Sequence, residues 1–175
     1  VLTANKGQEG GAIQNDGGDV TITNSTLSVN VATGDGGVID SKSGGSVTIT
    51  NSTFYANEGN DGGAVRNNGV MEITNSTFSG NSAAIRGGGL NNTGTATLTN
   101  TTFSGNSAYN GGGIYNGTSS GTVNFTNTII ANSSSGYDCI NDIGTIGTNV
   151  NNLVEDYSWP AALAGDPSLG ALADN

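Results

Sequence analysis

Histidine is absent from the 175 residues, and only four side chains are Lys or Arg. The first absence removes the commonest general base and the commonest metal ligand. The second removes the clustered cations with which nucleic-acid binders meet phosphates, so no nucleic-acid partner is expected. Cys139 is the single cysteine, which rules out an intrachain disulfide. No apolar run reaches membrane-spanning length and no signal peptide is read, so no membrane insertion of this segment is expected. Charge is scarce as well, at 10% of residues, with a net charge of −10 and a pI near 4.1. Disorder is nevertheless a poor reading, because disordered chains usually carry high charge and lack spaced β-branched residues.

What the chain does hold is a repeat. Asparagine returns at Asn24, Asn51, Asn75, Asn100 and Asn127, in steps of 27, 24, 25 and 27 residues. A glycine pair running into an apolar residue starts at Gly10, Gly36, Gly62, Gly87 and Gly111, in steps of 26, 26, 25 and 24. Two markers that keep pace mean one supersecondary unit that must stack on its neighbours to bury its apolar side. Leu2-Thr3-Ala4-Asn5 resembles the tail of one more unit, and Val1 is not an initiator Met, so an excised or processed piece of a longer chain is expected.

Each unit contains three short extended pieces. The first follows the glycines (Ala12-Ile13, Val38-Ile39, Ala64-Val65, Leu90, Ile114). The second alternates strictly, as in Val20-Thr21-Ile22-Thr23, and the third is a Thr-Phe-x-x-Asn run. Alternation with Val, Ile, Thr and Phe reads as strands with one buried face, and Asn, Gly and Ser between them read as tight turns. Three strands and three turns in about two dozen residues make one coil of a solenoid. The expectation is an all-β, right-handed parallel β-helix of five to six coils of 24–27 residues, three short strands per coil, with a C-terminal cap. Residues 1–133 are expected to form the coils and residues 134–175 a last irregular coil and a capping or contact segment. Tyr157, Trp159, Pro160 and Leu163 are its candidate cap or subunit-contact residues.

Two asparagine ladders are expected, one through Asn24, Asn51, Asn75, Asn100 and Asn127, the other through Asn30, Asn57, Asn81, Asn106 and Asn132. Side-chain amides stacked in this way satisfy one another at turns. Several match Asn-x-Ser/Thr, but a match that recurs at the coil period favours a ladder over glycan attachment. The glycines read as tight corners, since no Gly-Lys-Ser/Thr precedes a helix.

Catalysis finds little purchase: hydrolysis wants two carboxylates across a cleft, and no column offers an acidic pair and a base that the other coils lack. The chain is therefore expected not to be an enzyme. The residues before the glycine pairs include Glu9, Asp35 and Asp61, candidate calcium ligands, though a solvated acidic corner is the preferred reading and no cofactor is otherwise expected. An ion pair between Asp40 and Arg66 in adjacent coils is expected. The outward residues of the second strand are Thr21, Thr23, Thr48, Thr50, Thr74, Thr97, Thr99 and Thr126, with Glu72 and Asn124 interrupting. Such Thr-x-Thr rows resemble the ice-binding faces of β-helical antifreeze proteins, and they equally suit any exposed strand.

The pattern Gly-Gly-(Ala/Ile)-x-x-Asn with Thr74-Asn75-Ser76-Thr77-Phe78-Ser79-Gly80-Asn81 resembles right-handed parallel β-helix repeat proteins of the bacterial surface, of adhesin-like and polymorphic outer-membrane types. The tail, with Asp138-Cys139 and Gly165-Asp166-Pro167-Ser168-Leu169-Gly170, looks like the closing region of large secreted, anchored bacterial proteins. The resemblance implies the fold and an extracellular, cell-surface, secreted setting. Similar tails often carry a second cysteine, which this chain lacks. The expected role is a non-catalytic structural or adhesin-like segment, with head-to-tail assembly into a filament as a further expectation. Expected partners are a second copy end to end, or other surface proteins or glycans. An ice-binding β-helix is the alternative, and a polysaccharide-binding or polysaccharide-cleaving β-helix the second.

Overall fold

Alternating strands and corner glycines dictate a coil that closes about every 25 residues, and the computed structural model, which describes residues 1–160 and 163–170, is that solenoid. No helix occurs among the described residues. Every strand ladder is parallel, and neighbours in each sheet come from successive coils. The longest strands form a six-stranded sheet from Asp19–Thr23, Ser46–Thr50, Val70–Thr74, Thr95–Thr99, Thr122–Thr126 and Thr145–Val150. A second six-stranded sheet begins after the glycine pairs, from Ile13–Asn15 to Cys139–Asn141. A seven-stranded sheet runs from Leu2–Thr3 through the Thr-Phe strands to Leu153–Val154. Six strands in each of two sheets correspond to about six coils.

A fourth, shorter sheet joins the three expected ones: Lys6–Gly7, Val31–Ala32, Glu58–Asp61 and Ser82–Arg86. Single bridges Ser82 to Ser107 and Ser107 to Ser135 carry it onward. Its residues alternate weakly in the sequence, which is why periodicity did not single them out.

Vertical register brings like onto like. Val20, Val47, Met71, Ala96 and Val123 stack, as do Ile22, Ile49, Ile73, Leu98 and Phe125. Phe54, Phe78 and Phe103 form a parallel ring stack, with centroids 4.6 and 4.8 Å apart. All three rings are fully buried. Burial of each contributes roughly 1.5–3 kcal/mol, so the column is a main source of cohesion between coils.

Polar side chains complete the stack. Asn5, Asn30, Asn57, Asn81 and Asn106 form an inner ladder, each amide nitrogen donating to the next side-chain oxygen at 2.8–3.0 Å. The same nitrogens also reach backward: Asn57 donates to Leu27 O, Asn81 to Phe54 O and Asn106 to Phe78 O. The ladder thus clamps the phenylalanine strands from one corner. Asn132 does not continue it. Phe103 pairs with Ile130 and Ser104 with Ala131, which puts Asn132 level with Gly105, in a left-handed corner at φ 58° that asparagine tolerates well. The outer column differs in kind: Asn24, Asn51, Asn75, Asn100 and Asn127 are exposed and all adopt φ between 48° and 52°. Their side chains pair at 3.0–3.2 Å in three of the four steps, Asn51 to Asn24, Asn100 to Asn75 and Asn127 to Asn100.

Two further polar columns run up the coils. Asn15, Ser41, Asn67, Asn92, Asn116 and Asn141 share a column, with amide bonds of 2.8 Å from Asn67 to Asn92, Asn92 to Asn116 and Asn116 to Asn141. Ser25, Ser52, Ser76, Thr101 and Thr128 each turn a hydroxyl onto the carbonyl two residues earlier. The first was written in the Gly-Gly-x-x-x-Asn pattern, and the second in the residue after each outer asparagine.

Candidate functional site

The corner that leads into the glycine pair gathers three of the four Lys and Arg side chains, Lys42, Arg66 and Arg86. Its geometry is made by glycine: Gly10, Gly36, Gly62, Gly87 and Gly111 adopt φ of 63–75°, and the next glycine sits so close to the neighbouring coil that a Cβ on Gly37 would lie 1.9 Å from Gly63 O. Side chains are therefore pushed to the flanking positions. There the three candidate calcium ligands each meet a cation from the next coil. Glu9 lies 2.7 Å from the Lys42 ammonium, Asp35 lies 2.8 Å from Arg66, and Asp61 takes a two-pronged grip from Arg86 at 3.0 and 2.6 Å. Among the described residues no three side chains of metal-ligating type are grouped around a common point.

Asp40 lies deeper. Its carboxylate is fully buried, 2.5 Å from Lys42 and 3.6 Å from Arg66, so the expected pair is part of a three-membered cluster in which a buried carboxylate meets two partly exposed cations, extended outward by Glu9 and Asp35. Burial raises the Asp40 carboxyl above its ordinary value in spite of both cations, whereas Lys42 holds Glu9 below its own. Lys42 is in turn raised by its two carboxylates, Asp40 first. One coil further on, Arg86 lies 5.5 Å from the centre of the Tyr115 ring, whose hydroxyl donates to Asp142 at 3.0 Å. The charged groups of this corner thus cross-link successive coils.

The long-strand sheet presents a second surface. Thr21, Thr48, Glu72, Thr97 and Asn124 form one row, and Thr23, Thr50, Thr74, Thr99 and Thr126 the other, all in register. Only the second row is uninterrupted threonine. Neither row holds a base beside a carboxylate.

At the far end, Trp159 is buried edge-on against Phe125, with centroids 5.5 Å apart. The other members of that group are placed differently: Tyr157, Pro160 and Leu163 are exposed. Leu163 contributes backbone, its N–H donating to Asn152 O and its carbonyl accepting from Val154 N. Cys139 is buried, and its thiol is pushed up by that burial, with no second cysteine beside it. A shallow pocket of about 350 Å³ lies on the outer side of the seven-stranded sheet between Tyr55, Ser79, Ser104, Asn132 and Leu169. Among the described residues no helix is long and apolar enough to cross a membrane.

The Chlamydia polymorphic membrane protein (Chlamydia_PMP) repeat matches residues 100–117, the stretch from an outer asparagine through the Thr-Phe strand and the inner Asn106 to the glycine corner. No curated protein and no solved structure matches the chain. The matched repeat and the stacked parallel coils together fit a polymorphic outer-membrane-type parallel β-helix repeat protein.

Proposed function

We propose that this chain is a non-catalytic, adhesin-like segment of a cell-surface protein, a stiff rod whose outer corners are presented to other molecules. The observation that carries the reading is the continuous register of the long-strand sheet from Asp19–Thr23 to Thr122–Thr126, with the Glu9, Asp35 and Asp61 carboxylates spent on cations of neighbouring coils. A catalytic site normally interrupts such a repeat with groups poised toward a cleft. The matched repeat supports a surface, adhesin-like β-helix, since its family is one of membrane proteins by name. Antibodies raised against the folded chain should label intact, unpermeabilised cells of the source organism. Labelling that needs permeabilisation refutes the surface assignment.

End-to-end contact is the second part of the proposal. Ile13–Asn15 and Asp19–Thr23 are edge strands of their sheets, and Val20, Ala12 and Ile13 are only partly buried there. Unpaired strand edges recruit further strands, and a non-closing contact of this type builds filaments. Electron microscopy of the isolated chain at rising concentration should show linear stacks; monomers at every concentration refute this part and leave the surface role standing. The alternative, ice binding, is favoured by the unbroken Thr23-to-Thr126 row, and an ice-recrystallisation assay without inhibition removes it.

A further inference from the structure

Three of the five tyrosines stand out into solvent at one corner of the last layers: Tyr109, Tyr137 and Tyr157 are 80%, 70% and 77% exposed. Backbone bonds place them on successive levels. Gly111 N donates to Gly136 O and Gly112 N to Tyr137 O, so Tyr137 occupies the level below Gly111, two residues along from Tyr109. One layer on, Asp138 N donates to Asp156 Oδ2 and Cys139 N to the Ser158 hydroxyl, which fixes Tyr157 beneath the Tyr137 turn.

The column itself makes Tyr137 anomalous. In the five preceding coils the position is Gly10, Gly36, Gly62, Gly87 and Gly111, at φ of 63–75°. Tyr137 keeps that left-handed geometry at φ 57°, and Tyr157 adopts φ 61°. A bulky residue there is a genuine outlier, and strain of this kind concentrates at binding sites. Nothing in the interior rewards it, because both rings point to water.

We infer that the Tyr109, Tyr137 and Tyr157 strip is a binding site for an uncharged oligosaccharide, in which sugar rings lie against tyrosine faces. Tyrosine offers a large, rigid surface, apolar in body and polar at its tip, at small entropic cost. Levels rise by about 4.8 Å per coil, close to the length of one sugar ring along a glycan. The corner offers no unengaged cation to an anionic ligand: Arg86 is gripped by Asp61, and the Asp138 and Asp156 carboxylates, held by the backbone amides of Ser133, Asp156, Asp138 and Ser158, would repel one. Ile85, with the small Ala84 beside it, is the exposed apolar surface of the preceding coil, too little for the dry centre of a protein–protein interface. This inference rests on the adhesin-like reading and names its ligand class.

The test uses the whole chain with ring-labelled tyrosine, observed by NMR while cellohexaose, maltohexaose, chitohexaose, mannohexaose or the anionic hexagalacturonate is added. One or more neutral hexasaccharides should move the Tyr109, Tyr137 and Tyr157 signals together and leave buried Tyr115 in place. Tyr137→Gly should weaken that binding at least about tenfold while Tm holds or rises, a pairing that a merely structural tyrosine would not produce. The inference is overturned if no neutral sugar shifts the three rings, if hexagalacturonate alone does, if Tyr137→Gly binds as well as the parent, or if only a protein partner covers the strip. Adhesion that survives Tyr137→Gly, with no sugar response, sinks the glycan site and spares the surface role. Sugar binding by a chain that never reaches the cell surface does the opposite.

Discussion

Replacing Asn81 by Leu and, separately, Asn75 by Gly separates the two asparagine columns by energy. The two residues lie in one repeat, six positions apart, and look interchangeable in composition. In the fold Asn81 is fully buried: its oxygen accepts from Asn57 N at 3.0 Å and Asn57 Nδ2 at 2.9 Å, and its nitrogen donates to Phe54 O at 3.0 Å and Asn106 Oδ1 at 2.9 Å. Leucine has similar bulk and none of these groups. Asn57 Nδ2 keeps Leu27 O and Asn106 Oδ1 keeps Asn81 N, but the buried Asn57 N–H loses the side-chain acceptor that serves it, and Phe54 O loses a donor. An orphaned buried amide costs about 1–3 kcal/mol and each lost bond about 1 kcal/mol more, so Asn81→Leu should destabilise by roughly 2–5 kcal/mol. Asn75 is exposed at φ 50° and accepts one bond, from Asn100, at 3.0 Å. Glycine suits that backbone, so Asn75→Gly should stay within about 0.5 kcal/mol of the parent. Guanidinium unfolding midpoints at matched slope report both, and hydrogen exchange at Asn57 N should accelerate in the Leu variant alone. Equal losses, or a loss below about 1 kcal/mol for Asn81→Leu, refute the inner-ladder reasoning.

Trp159→Ala should lower stability by about 3–5 kcal/mol, because the indole covers the Phe125 end of the core, whereas Tyr157→Gly should be near neutral by the same thermal melt. For Asp40, the folded carboxyl lies above its ordinary value of 3.8, so the native state binds its proton more readily than the unfolded chain does. Its contribution is therefore fullest below 3.8 and is lost as pH rises through the raised value; parent minus Asp40→Asn stability, read by denaturant titration at several pH values, should grow as pH falls from neutral toward 3.8. Millimolar calcium should leave Tm unchanged, since Glu9, Asp35 and Asp61 already face Lys42, Arg66 and Arg86; a clear rise in Tm refutes the ion-pair account of that corner.

Much of the fold was legible in one dimension because stacking converts sequence period into vertical neighbours. Phe54, Phe78 and Phe103 recur at the coil spacing, so their meeting needed no knowledge of the corners. The Thr rows followed from the same alternation. Less was legible where coil lengths change. Asn132 looked like the sequel to Asn106, yet it follows Asn127 by five residues where Asn106 follows Asn100 by six, which sets it one place short, on the level of Gly105. The weakly patterned fourth sheet escaped for want of alternation, and the Asn15-to-Asn141 ladder because a polar residue after a strand also suits an ordinary turn.

From the residues alone come the length of the coil, the identity of its inward columns and the expectation that asparagines stack, since all three depend only on what recurs and how often. Only closure of the coil in space decided which polar groups lose water. Asp40 and Asn81 are sealed inside while Asn75 stays wet, and Tyr137 stands in a corner reserved elsewhere for glycine. Periodicity names a residue's neighbours above and below; the depth at which it sits, and hence its energy, is set by chain segments arriving from other sides of the coil.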